Sequence, residues 1–169
     1  MLSEVKHMEV KLVPAYNLQK EITALFTEYT EMLIEGDSQF KEYLELQNYD
    51  DELLNLEKKY GLPEGRLYVA YCDGKIAGCI GLKKMTAQEC EMKRLYVRPE
   101  FRGNKIGYIL IRQIINDAKE IGYRHMLLDT LPFLKSAIYM YKKIGFYEIP
   151  CYNNSPMSSS IYMKLNLAK

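Results

Sequence analysis

Residues 97–115 read VRPEFRGNKIGYILIRQII. A β-forming run ends at Arg98-Pro99, because proline has no amide to give to a continuing ladder. A short loop follows, and from it emerge Ile106, Ile109, Leu110, Ile114 and Ala118, spaced by three and four residues as in an amphipathic helix. A strand end, a glycine-containing loop and a helix start, in that order, suit an anion. Amides of the first helical turn lack intrahelical partners, and the helix dipole adds partial positive charge. Gly103 and Gly107 let the backbone approach an oxygen with no Cβ in the way, and Arg98, Arg102 and Lys105 add full positive charges. Glycines and charges at helix starts are also common without a ligand, so the junction alone leaves both readings open.

Working outward, the strand that feeds this loop runs from Glu89 to Val97. Before it, RLYVAY and KIAGCIGLKK are rich in β-formers and joined by CDGK, whose Asp73-Gly74 supplies the positive φ angles of a tight hairpin. Downstream come a short buried strand HMLLDT, a helix from about Phe133 to Lys143, a turn at Gly145 and a strand from Phe146. The loop PCYNNSPMSSS then leads into a last strand, IYMKLNL. Toward the N-terminus, Met8 to Val13 is strand-like, and Leu18, Ile22, Leu25, Phe26, Tyr29 and Leu33 mark one helix ended by Gly36. Phe40 to Tyr60 predicts one or two less regular helices, stopped at Gly61 and Pro63. Helices, an antiparallel meander and two strand-helix alternations together predict an α/β (mixed α+β) fold. Its central sheet is mixed and mostly antiparallel, with helices on both faces, in a single domain over residues 1–169.

The 169 residues, 48% hydrophobic, are enough for one well-buried core. Lys plus Arg total 23 against 22 for Asp plus Glu, which argues against nucleic acid as a partner. Cys72, Cys79, Cys90 and Cys151 form no CxxC pair, and neither histidine is at zinc-ligand spacing from them. Reduced thiols and no metal are expected. The stretch MLSEVKHMEVKLVP carries Glu4, Lys6 and Glu9 where a signal peptide needs an apolar run, and no segment reaches transmembrane length. A cytoplasmic protein with no membrane partner is the expectation.

Two further stretches give the junction its context. RLYVRPEFRGNKIG is similar to the acetyl-CoA signature of the GNAT superfamily: a basic residue or Gln, two variable positions, Gly, one variable position, then Gly or Ala. Arg102 stands first and Gly107 last, while Lys105 occupies the usual middle Gly. LDTLPFLKSAIYMYKKIGF resembles the family's closing signature, with Ala137, Tyr141, Gly145 and Phe146 in place and Leu134 where an Asn is frequent. In CEMKRLYV an acidic residue, Glu91, lies on the strand leading to the loop. The resemblance runs from about Arg66 to Phe146, and the first sixty-odd residues share only a general helical character.

The resemblance implies an acetyl-CoA-dependent N-acetyltransferase that moves the acetyl group to a primary amine of a small molecule or peptide by direct attack. Backbone groups of Leu95, Tyr96 and Val97 would pair with pantetheine, with Val97 N–H on the thioester carbonyl. Arg102, Gly103, Asn104, Lys105, Ile106 and Gly107 would hold the pyrophosphate. Tyr141 would protonate the leaving sulfur, and Glu91 would take the amine proton directly or through water. Tyr139 is the rival phenol, but two residues along a helix turn by roughly 200°, so both cannot face one site. Glu91 reads otherwise as a charge on an exposed edge. Cys90 as a nucleophile is disfavoured, because no His or cation near it in sequence would lower its pKa. Asp129 either serves the site or caps the next turn, and the Leu131-Pro132 that follows favours the cap. The stretch Tyr147 to Ser160, with Tyr152, Asn153 and Asn154, resembles a substrate-side loop or is a plain surface loop. The alternative function is a non-catalytic CoA-binding or sensing module, against which Glu91 and Tyr141 speak. A P-loop is excluded because no GK[ST] follows the glycines. The acceptor and a possible homodimer stay open.

Overall fold

The computed structural model describes residues 8–168, so the stretch with Glu4 and Lys6 lies outside the described residues. Its strands are β1 (Val10–Pro14), β2 (Arg66–Cys72), β3 (Lys75–Lys84), β4 (Glu89–Val97), β5 (His125–Thr130), β6 (Tyr147–Ile149) and β7 (Ile161–Asn166). They form one sheet in the order β1-β2-β3-β4-β5-β7-β6. Every neighbouring pair is antiparallel except β4 with β5, so the sheet is mixed and mostly antiparallel, as the sequence predicts. The hairpin at Asp73-Gly74 turns on two positive φ angles, 49° and 80°.

Helices cover both faces. On one lie α1 (Gln19–Gly36), α2 (Phe40–Leu46), α3 (Tyr49–Leu54) and α4 (Leu56–Tyr60). The other carries α5 (Ile106–Ile121), with α6 (Lys135–Ile144) packed into the same core. The period-two alternation of β2 divides its side chains between the layers. Leu67 and Val69 pack with Ile22, Leu25 and Phe26 of α1, whereas Tyr68 and Ala70 pack with Leu110 and Ile114 of α5. Truncating fully buried Phe26 or Ile114 to alanine would cost about 3–4 kcal/mol.

The region 40–60 holds three helices where one or two were expected. Asn48 adopts the left-handed φ of 54°, which ends α2 and turns the chain into α3. Asn55 leaves helical geometry and accepts the Lys58 N–H at 3.3 Å, starting α4 afresh. The other boundaries move by one or two residues, as fraying ends do.

Two features open the sheet. Cys79 faces Tyr96 and Gly81 faces Lys93, so Arg94 and Leu95 together oppose Ile80. This β-bulge puts Arg94 at φ 59° and bends the strand. Pairing of β4 with β5 covers only Glu89↔His125, Cys90↔Met126 and Glu91↔Leu127. Beyond Glu91 the strands part, while β5 continues beside β7 as far as Thr130. A buried ion cluster holds the bulge: Arg94 forks onto Glu52 of α3 at 2.9 and 3.0 Å and reaches Gln47 at 2.8 Å. Lys59 and Tyr60 of α4 complete the Glu52 carboxylate.

Candidate active site

The gap between β4 and β5 is a cleft, walled by Met92 and Leu95 of β4, Asp129 of β5, Tyr141 of α6 and Tyr29 and Phe40 of the helical layer. Arg98 N–H donates to Ala77 O on β3 at 2.7 Å. Strand alternation therefore turns the N–H groups of Leu95 and Val97 the other way, toward the side that β5 has left. Val97 O on that side accepts from Arg102 Nε at 3.0 Å. Tyr96 points its ring away, into the α1 layer.

The loop after β4 begins with one short 3-10 turn, Pro99–Phe101, and reaches α5 through two positive φ angles, Gly103 at 85° and Lys105 at 61°. Lys105 thus takes the left-handed backbone that the signature's usual glycine would adopt freely. Asn104 closes the turn on Phe101 O at 3.0 Å. Ile106 is buried in the core, and Arg102 and Lys105 are exposed at the helix start. Arg98 adds no free charge there, a correction to the expectation, because Glu28 of α1 grips its guanidinium at 2.8 and 3.0 Å. A Cβ on Gly107 would meet nothing closer than Val97 Cγ2 at 3.7 Å. The protein's own packing therefore does not require glycine at 107, although glycine in a helix costs up to about 1 kcal/mol against alanine.

Tyr141 is 4% exposed, stacks at a tilt on Phe146 at 5.7 Å and faces the cleft. Among the described residues its hydroxyl has no hydrogen-bond partner, and it is not sealed from the cleft. Burial, then the neighbouring Tyr29 and Asp129, push its pKa well up, so the phenol keeps its proton. Tyr139 is 68% exposed with Lys143 over its ring, on the other side of α6.

Glu91 is no exposed edge charge: it is 4% exposed. One oxygen accepts the Tyr152 hydroxyl at 2.6 Å and the other faces Lys93 at 3.5 Å. Burial and the Glu91 charge raise the Tyr152 pKa far above the usual phenol range, so Tyr152 is the donor of that bond. Asp129 caps no turn among the described residues, which corrects the favoured reading. Its Oδ2 accepts from Tyr43 of α2 and, at 3.5 Å, from Asn153. Asn153 also donates to Tyr43 at 3.0 Å and accepts from Tyr162 at 3.1 Å. The loop before β7 therefore lies over both carboxylates, while Asn154 faces solvent. Cys90 is buried against His125 O and its thiol is pushed up to about 12 by burial, so it is no nucleophile.

Sequence reasoning passed over Lys93 and Tyr43. Lys93 had a signal, since two residues from Glu91 on a strand is the same face. Tyr43 had none, because it meets Asp129 across 86 residues. Among the described residues no three His, Cys, Asp or Glu side chains gather to hold a metal, and no helix is long and apolar enough to cross a membrane.

A sequence model of the acetyltransferase (GNAT) family matches residues 22–146. The chain belongs to that family. An uncharacterized N-acetyltransferase of Schizosaccharomyces pombe is 43% identical over 128 residues, 75% of this chain and 78% of its own. Another of Dictyostelium discoideum is 33% identical and aligns over 95% of this chain and 100% of its own. In fold, this acetyltransferase is similar to the PaiA N-acetyltransferase of Thermoplasma acidophilum, solved in complex with coenzyme A. The TM-score is 0.70 at 18% identity, covering 95% of this chain and 99% of that one.

Proposed function

We propose that this acetyltransferase uses acetyl-CoA and transfers the acetyl group to a primary amine by direct attack within the β4–β5 cleft. The observation that carries the reading is Tyr141, whose ring is buried while its hydroxyl, without a protein partner among the described residues, opens on a cleft where the amides of Leu95 and Val97 face no strand. Glycine at 107 fits the same reading, because the protein's own packing does not demand it and the missing side chain leaves the first turn of α5 approachable by a pyrophosphate. The exposed Arg102 and Lys105, with Gly103, Asn104 and Ile106, complete that cradle.

Each residue then has one task. Val97 N–H polarises the thioester carbonyl, a contribution typically worth about 3 kcal/mol. The amine nitrogen bonds to the carbonyl carbon, the C–S bond breaks with its electron pair on sulfur, and Tyr141 gives sulfur its proton. Glu91 has both oxygens engaged, so the amine proton passes to Tyr152 as the Tyr152 proton passes to Glu91. An acceptor that arrives as an ammonium first releases one proton to solvent, and after transfer Glu91 gives its proton to solvent while solvent returns one to Tyr141.

Release of free thiol from acetyl-CoA in the presence of an amine panel tests the function. Acetyl-CoA binding with no thiol release for any amine would favour a sensing module instead.

A further inference from the structure

Resting on the proposed acetyl transfer to an amine, the structure assigns a further residue and a substrate class: we infer that Asp129 docks the acceptor's ammonium, and that the acceptor is a primary amine with an apolar body and no carboxylate beside the nitrogen. Three observations carry this. Asp129 shares the cleft with Tyr141 and Leu95, whereas Glu91 is sealed behind Tyr152. Tyr43 and Asn153 both use Oδ2 of Asp129, and among the described residues Oδ1 has no hydrogen-bond partner, so a carboxylate that lines the cleft keeps one oxygen unpaired. The Tyr141 hydroxyl, equally unpaired, opens on the same space, which puts an ammonium on Asp129 close to the group that serves the leaving sulfur.

The rest of the lining selects the body. Leu33, Phe40 and Leu134 give an apolar wall on the helical side. Two cations also line the cleft, yet neither is free for an acceptor carboxylate. Lys93 is paired with Glu91, and Arg94 is taken up by Glu52 and Gln47. A zwitterionic α-amino acid would bring its carboxylate toward Asp129 with no free cation to compensate it, a like-charge arrangement that binding disfavours. Leu134 suits this role as an apolar side chain at the cleft edge.

Phenethylamine and phenylalanine share a ring and an amine and differ in the carboxylate, so the pair isolates the question. With the wild-type protein, kcat/KM for phenethylamine should exceed that for phenylalanine at least tenfold. Asp129→Asn keeps the shape and loses the charge, and it should raise the phenethylamine KM at least tenfold with the acetyl-CoA KM within twofold. Thermal unfolding of the variant checks that it is folded, and the wild-type comparison stands by itself if it is not. Thiol release with phenylalanine in place of phenethylamine overturns the acceptor assignment and leaves the acetyl transfer standing. An unchanged phenethylamine KM in folded Asp129→Asn also overturns it. No thiol release with any amine overturns both.

Discussion

Arg94 and Glu52 form a two-pronged ion pair between the bulge of β4 and helix α3, with nitrogen–oxygen distances of 2.9 and 3.0 Å and both side chains buried. Burial alone would raise the Glu52 pKa, but the Arg94 charge and hydrogen bonds, with Lys59, hold it at about 2 against 4.5 for the unmodified group. A carboxyl depressed in the folded state binds fewer protons than in the unfolded chain. Its contribution, about 3 kcal/mol, is therefore complete above about pH 4.5 and lost as pH falls through 2. Glu52→Gln should remove that acid sensitivity and, by leaving Arg94 buried without its counter-charge, cost about 3–5 kcal/mol at neutral pH. Urea unfolding from pH 7 to 2 reads both effects, and an unchanged acid profile in the variant would refute the assignment.

Tyr141→Phe keeps the ring against Phe146 and deletes only the hydroxyl. We expect kcat to fall roughly ten- to a thousandfold with acetyl-CoA binding unchanged. Tyr139→Phe, on the solvent side of α6, should be nearly silent. Full kcat in Tyr141→Phe would remove it as the acid.

Gly107→Ala separates stability from binding. The added Cβ has ordinary contacts at 3.7 and 3.8 Å and favours helix, so the variant should be as stable as the wild type or up to about 1 kcal/mol more so. Its apparent acetyl-CoA KM should nevertheless rise several-fold, because the methyl enters the proposed pyrophosphate cradle. Wild-type affinity in the alanine variant would place the pyrophosphate elsewhere.

Cys151 is exposed, whereas Cys72, Cys79 and Cys90 are buried. One thiol per chain should react with an aromatic disulfide reagent in the native state, and all four after denaturation. Cys90→Ala should retain full kcat, and acetyl-CoA without acceptor should leave the protein mass unchanged. A mass gain of one acetyl group would reopen the covalent route.

The sheet and the loop into α5 were legible because their signals are local. Asp73-Gly74 fixes a hairpin by its φ angles, Arg98-Pro99 ends a strand, and the isoleucine spacing after Lys105 sets a helix. The breaks at Asn48 and Asn55 were less so, since an asparagine inside a helical pattern is tolerated until tertiary packing decides. What escaped was pairing across the chain. Periodicity places Asp129 at the end of a strand, but only the fold brings Tyr43 from 86 residues upstream to its carboxylate and lays Tyr152 on Glu91. A separation of 70 residues likewise hid Glu28 beside Arg98 and made a spent charge look available.

The parting of β4 from β5 also has a mechanical side. Strands β1 to β4 make one half of the sheet and β5, β7 and β6 the other, and the seam between them within the sheet is the three residue pairs from Glu89 to Glu91. A seam so short acts as the fulcrum of a pair of tweezers, with helix layers as handles and the cleft as the jaws. The width of the jaws is then set at the seam, so a substitution at His125 or Met126, neither of which lines the cleft, would alter the gap that the reactants must share.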